Sequence, residues 1–363
     1  MKNPEVIKVG NVSARRGEKK HGVLATFEMR DGSPVNIPVL VINGAKEGPI
    51  VSTVCGTHAN EPLGTMAIID VAKMLDPREM SGAYIGVPMS TPTAFQHGWR
   101  FNILDFGTIG FPGNPKGTIT ERMGNAIFDH VYEPADIYLD WHSNFIPCLA
   151  WCSATATSDE EVNKLADKIA KSTGITYIGG PGVSEFPPKA RPGALGASEL
   201  PPKVRVGFEA EGSNTLERRN MRAVRKALLN AVKTAGLIEG ELENMDGDCV
   251  KVDRPKGYGF MGYLPPELGY RGNLIRANRG GIVVKEAEDA SMGRKIEKGT
   301  VIARIFNLYG EEVETITAPC DGYIWGWPLR TVYGLQTPAV YTGAEICYWF
   351  VEKELREPYK SMS

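Results

Sequence analysis

The stretch PIVSTVCGTHANEPLGTMAIIDVAKML, residues 49–75, holds the reading on which the fold turns. Its first seven residues, 49–55, form a short β-branched run of the kind that makes a buried strand. Beyond the glycine at 56 the period changes. Leu63, Ala67, Val71 and Leu75 recur every four residues, which marks one face of a helix. A strand that passes through a short loop into a helix is the opening of an α/β unit. That loop contains His58 and Glu61, three positions apart, so one turn of backbone can aim an imidazole and a carboxylate at one point.

Working outward, the same alternation continues to about residue 235. Strands are predicted at residues 84–89, 136–141 and 204–211. Between them Thr118 with Glu121, and Ser158 with Glu161, supply capping boxes ahead of apolar positions, and Asn214 is expected to open a helix carrying Met221, Val224, Leu228 and Val232. The expected fold is α/β, a parallel or mixed sheet flanked by helices. The segment from Pro181 to Pro202 has six prolines and little periodicity, and is expected to be a long functional loop. After about residue 245 the helical signal stops, and short strands punctuated by Gly, Pro and Asp predict a C-terminal all-β, barrel-like module. The expected organisation is residues 1–245 as the catalytic domain and 246–363 as the β-rich module, with the boundary near the polar stretch 239–248.

Composition narrows the functions. With 363 residues, 42% of them hydrophobic, the chain can bury real cores. A formal charge of -2 and a pI near 6.3 disfavour nucleic-acid or anionic-membrane surfaces and point to a small-molecule partner. The first twenty residues have no signal-peptide core, and no apolar run approaches about 18 residues, so the cytoplasm is the expected location, with no membrane contact. Six cysteines at irregular spacings, none in a CxxC pair, read as reduced and mostly buried thiols.

Five histidines leave few candidates for a metal site. His58 follows one predicted strand, and His142 ends another in YLDWHSN, at a sheet edge where α/β folds gather ligands. Two histidines with one glutamate, leaving a position open for water, form an established ligand set for catalytic zinc, and His58, Glu61 and His142 satisfy it. Asp140 lies on the same strand face and can orient the His142 ring. A carboxylate is also needed to take a proton from water, and Glu209 and Glu211 in VRVGFEAEGS both qualify.

With GTHANEPLG, LDWHSN and FEAEG in this order, the chain resembles the succinylglutamate desuccinylase and aspartoacylase family, relatives of zinc carboxypeptidases. The G-x-H-G-x-E-x-x-G ligand motif of that family is seen at Gly56 to Glu61 with Gly64, and its D-x-H motif at Asp140 to His142. The resemblance implies one zinc per chain and, by alignment on Gly212, Glu209 as the catalytic glutamate, with Glu211 as the fallback. It also implies that Arg100 polarises the scissile carbonyl. The C-terminal segments GGIVVKEAEDASMGRKIEKGTVIARI and ITAPCDGYIWG resemble a biotinyl or lipoyl carrier module. EAEDASM offers no carrier lysine, so this part is expected to shape the site or an interface in a homo-oligomer.

One departure separates chemistry from substrate. Where the family has Asp-x-Asn-Arg before a Phe-Pro-Gly turn, this chain reads Asp105 to Gly113 with Thr108 and Ile109 in place of the Asn-Arg carboxylate clamp. Thr108 and Ile109 become candidate substrate neighbours, together with Arg100 and with Arg191 of the Pro-rich loop. The expected reaction is hydrolysis of an amide in a small N-acyl compound; a carboxypeptidase or esterase on the same scaffold, or a binding protein with a relict site, are the alternatives. The GxGxxG at Gly257, Gly259 and Gly262 is discounted as a β-turn region because Pro265 and Pro266 forbid the helix of a dinucleotide site.

Overall fold

The computed structural model describes residues 3–143, 148–178, 202–211, 216–250, 252, 254–261, 264–270, 272–286, 292–329 and 338–354. The chain begins with strands that the period reading from residue 49 onward leaves out: β1 (Val6–Val9), β2 (Val12–Arg15), β3 (Glu18–Glu28) and β4 (Pro34–Asn43). The expected alternation follows as β5 (Lys46–Cys55), α1 (Leu63–Met74), β6 (Ser81–Val87), α2 (Pro92–Gln96), α3 (Ile119–Ile127), β7 (Ile137–Ser143), β8 (Trp151–Ala154), α4 (Glu160–Ser172), β9 (Thr176–Tyr177), β10 (Val204–Ala210) and α5 (Arg218–Thr234).

Strands β1 and β2 pair with each other as a two-stranded sheet, and β3 to β10 make one eight-stranded mixed sheet in the order β3-β4-β6-β5-β7-β10-β8-β9. Its centre, β6-β5-β7-β10, is parallel, with β4 and β8 antiparallel on either side. Helices α1, α4 and α5 cover one face through Ile68, Val71, Ile169, Val224 and Leu228, while α3 covers the other through Met123 and Ile127. In α1 the buried positions Leu63, Ala67, Ile68, Val71 and Ala72 form one stripe. Each large apolar side chain there contributes about 1.5–3 kcal/mol, more than helix propensity supplies, so packing fixes this helix.

One of the expected helix starts is corrected. The Thr118–Glu121 capping box is present. The α4 cap is Asp159, not Ser158, because the Asp159 carboxylate accepts from the backbone N–H groups of Glu161 and Val162. Helix α5 is preceded by Glu217, and Asn214 lies outside the described residues.

After α5, residues 237–245 still pack on the first sheet through Leu237 and Met245. The remaining elements are strands β11 (Tyr258–Met261), β12 (Leu274–Arg276), β13 (Gly281–Lys285), β14 (Lys295–Ile296), β15 (Val301–Phe306), β16 (Glu312–Thr317), β17 (Gly322–Gly326), β18 (Ala339–Val340) and β19 (Glu345–Glu354), with one 3-10 turn at Pro266–Leu268. Residues 258–261 are therefore a strand, where the glycine pattern suggests only a turn. The strands form two sheets, β11-β19-β17-β14 with β12 beside β19, and β16-β15-β13-β18. A core of Ile302, Ile305, Ile324, Ile346 and Trp349 is shared between them. Among the described residues, no helix is long and apolar enough to cross a membrane.

Candidate metal and catalytic site

The site sits at the carboxyl ends of the parallel strands, where α/β folds place ligands. As β5 ends, Gly56 takes φ +83°, a left-handed conformation that L side chains rarely adopt, and the chain turns toward α1. Within that turn the Glu61 N–H donates to the His58 carbonyl at 3.1 Å, which puts both side chains on one side. Gly64 then lets α1 lie directly on β7, since a Cβ there would stand 2.4 Å from Trp141 Cβ. The family's two glycines thus have mechanical reasons.

His142 comes from β7. The Nδ1 atoms of His58 and His142 are 3.1 Å apart, and each is 3.1 Å from a Glu61 carboxylate oxygen. Among the described residues this trio is the group whose candidate ligand atoms all lie within 4.8 Å of one another. Ligands about 2.0–2.1 Å from a tetrahedral zinc stand roughly 3.3 Å apart, so the donor set and its spacing fit that ion. Glu61 is fixed further by the Ser143 N–H at 3.2 Å and by the Arg100 guanidinium on Oε1. Asp140 Oδ2 lies 3.4 Å from His142 Nε2, the position of a carboxylate that leaves Nδ1 as the ligand.

The electrostatics follow from this crowding. Burial pushes the Glu61 carboxyl up, but hydrogen bonds from His142 and His58 outweigh it and hold it well below the usual range. Burial lowers His58. Burial also works against charge on His142, yet Asp140 and then Glu61 raise it well above an ordinary histidine.

Parallel pairing of β10 with β7 sets Glu209 directly opposite His142, and Gly207 opposite Asp140. Partners across a ladder share a face, so Glu209 is a strand spacing of about 4.8 Å from His142. Burial, with the negative charges of Glu61 and Asp140 added, pushes its carboxyl up to about 8. Glu211 lies just past the strand and forms an ion pair with Arg219 at 2.9 Å; burial raises it too, and Arg219 opposes the rise.

The remaining candidates are placed more loosely. Thr108 is half-buried in the loop before α3, and Ile109 packs against the core cluster that contains Met123 and Tyr138. Asp105 ties that loop to α3, accepting from Gly107 N–H, Thr120 N–H and the Thr120 hydroxyl. Arg191 lies outside the described residues. What the sequence reading did not find is an aromatic wall beside Glu209: Trp151 of β8, Trp325 of β17, and Tyr348 and Phe350 of β19 line one cavity with it. The signal was present as IWGW and CYWF, but only the fold shows that strands more than a hundred residues away return to the site.

The mixed sheet, with the His-Glu-His cluster at the carboxyl ends of its parallel strands, is an α/β architecture that carries a candidate metal site. Residues 47–169 match the model of the succinylglutamate desuccinylase/aspartoacylase catalytic domain. It is 26% identical over 297 residues to the N-alpha-acetyl-L-2,4-diaminobutyric acid deacetylase of Halomonas elongata, covering 80% of each chain. Its fold matches the ectoine utilization protein EutE (DoeB) of Ruegeria pomeroyi at a TM-score of 0.75 and 21% identity, over 96% of this chain and 99% of that one. It also matches a succinylglutamate desuccinylase/aspartoacylase from Rhodobacter sphaeroides at 0.75 and 20%, over 96% and 100%.

Proposed function

We propose that the chain is a zinc-dependent hydrolase that cleaves the amide bond of a small N-acyl compound. The observation that carries the reading is the trio of donor atoms 3.1 Å apart on His58, Glu61 and His142, with Glu209 in register beside His142. The deacetylase named above supports amide cleavage. Zinc held there would lower the pKa of water toward about 7 and polarise a carbonyl. Glu209 then accepts the proton from the attacking water on a carboxylate oxygen and returns it to the departing nitrogen. Arg100, with five N–H donors on a planar guanidinium, holds Glu61 and donates to the developing oxyanion. Thr108, Ile109 and Arg191 are proposed substrate neighbours. The division at residues 245 and 246, and the likeness of the C-terminal strands to a biotinyl or lipoyl module without its carrier function, belong to the same proposal.

Metal analysis of the purified protein tests the cofactor, with about one zinc per chain expected. The variant Glu209→Gln should keep that zinc and lose turnover by about 10²–10⁴-fold. Hydrolysis at the parent rate would remove Glu209 as the base, and a chain that takes up no zinc would favour a relict site.

A further inference from the structure

The cavity beside Glu209 has about 160 Å³ of space. An apolar cavity of about 150 Å³ is enough to take up benzene. Three elements meet around it. Trp151 pairs with Glu209 across the β8–β10 ladder, while His142 pairs with Glu209 on its other side, so metal ligand, base and tryptophan stand in a row across three neighbouring strands. Cys148 adds to this side, and Trp325, Tyr348, Phe350 and Asn273, all from the C-terminal strands and their loops, form the rest of the wall. Trp325 and Phe350 stack at 4.5 Å and 15°, and Trp151 meets Phe350 edge-on at 6.3 Å, so the wall is a braced aromatic surface.

We infer that this cavity is a specificity pocket for an uncharged, ring-sized apolar group on the amine side of the substrate. This rests on the reading of Glu209 as the base. Because Glu209 both lines the cavity and returns the proton to the departing nitrogen, the group on that nitrogen is the one the pocket takes. Among the described residues lining it, none is cationic, and the Glu209 carboxyl gives a carboxylate seated there no attractive partner. An ammonium would pair with that same carboxyl and occupy the group that must take the proton. A neutral ring instead buries its surface on four aromatic side chains, which favours it by removing apolar area from water. The C-terminal strands thereby select the substrate, although they supply none of the proposed metal ligands.

The full-length zinc-loaded protein is assayed on N-acetylbenzylamine, N-acetyl-1,4-diaminobutane and N-acetyl-L-aspartate. The benzyl compound is expected to show kcat/KM at least tenfold above either of the others. Asn273→Arg, checked for native circular dichroism, should lower that value at least tenfold and raise the rate on N-acetyl-L-aspartate. Calorimetric binding of N-acetylbenzylamine to zinc-loaded Glu209→Gln reads the pocket without turnover. A preference of less than tenfold, an unchanged Asn273→Arg, or a Glu209→Gln protein that binds no N-acetylbenzylamine overturns the pocket. An active Glu209→Gln overturns the base instead, and leaves the pocket to be judged by the binding measurement alone.

Discussion

At the scale of single residues, Asp140 shows how a neighbour two positions away sets a ligand's chemistry. Because its Oδ2 lies 3.4 Å from His142 Nε2, that nitrogen keeps its proton and Nδ1 faces Glu61 and His58. Asp140→Asn preserves shape and removes the charge, and is expected to weaken zinc 10–100-fold in a chelator competition; unchanged affinity would mean that backbone alone orients the ring. The two strand-end glutamates separate in the same way. Glu211 is engaged with Arg219, so Glu211→Gln should leave turnover within about threefold of the parent and cost at most about 1 kcal/mol, since the pair is partly exposed. A Glu211→Gln protein as inactive as Glu209→Gln would reverse the assignment. Sequence spacing could name both glutamates, and only the family alignment preferred Glu209; the ladder register with His142 is the physical fact behind that preference.

At the scale of elements, the tightest constraint is the seat of α1 on β7. A Cβ at Gly64 would stand 2.4 Å from Trp141 Cβ and 2.9 Å from Cys55 Sγ, and Trp141 is itself stacked on Phe208 at 4.1 Å. Gly64→Ala should therefore cost about 1–3 kcal/mol in denaturant unfolding and weaken zinc as well, because Glu61 sits one turn away. A second constraint lies where the chain leaves α5. Asp248 is buried against Lys226 at 2.7 Å and Arg222 at 3.1 Å, and the Lys226 hydrogen bond holds its carboxyl below the ordinary range. A depressed folded pKa stabilises above the unfolded value near 3.9 and is lost as pH falls through the folded one. Asp248→Asn should thus cost about 1 kcal/mol at pH 7 and nothing at strongly acidic pH, and an equal gap at both would discard the ion pair as its source. The elements themselves were legible wherever one period ran long enough, as in α1 and β5. Strands β1 to β4 alternate ahead of the first β-to-α switch, beyond the reach of the period reading, and Ser158 reads as the α4 cap in sequence while Asp159 makes the bonds, because either residue type caps a helix and only the donor geometry decides.

At the scale of the whole molecule, the C-terminal strands and the catalytic sheet share a core. Cys148, Leu149 and Ile178 cluster with Phe260, Tyr323, Trp325 and Phe350, the Leu149 N–H donates to the Trp325 carbonyl at 2.9 Å, and Cys148 pairs with Gly326 in an antiparallel backbone β-bridge. Detaching the C-terminal strands would expose several large apolar side chains on both partners, on the order of 5 kcal/mol of lost burial. That is comparable to the total stability of an ordinary domain, so the two parts should not melt independently. Three of the six tryptophans, Trp325, Trp327 and Trp349, belong to the C-terminal strands, whereas the proposed zinc ligands all lie before residue 143. A ligand that binds the native state raises its melting temperature by mass action. Removing zinc should accordingly lower a single cooperative transition seen both in calorimetry and in tryptophan emission. If tryptophan emission instead reports a separate transition at a temperature indifferent to chelation, the shared core does not couple the two parts, and the aromatic wall is an attachment to the catalytic sheet and not a continuation of it.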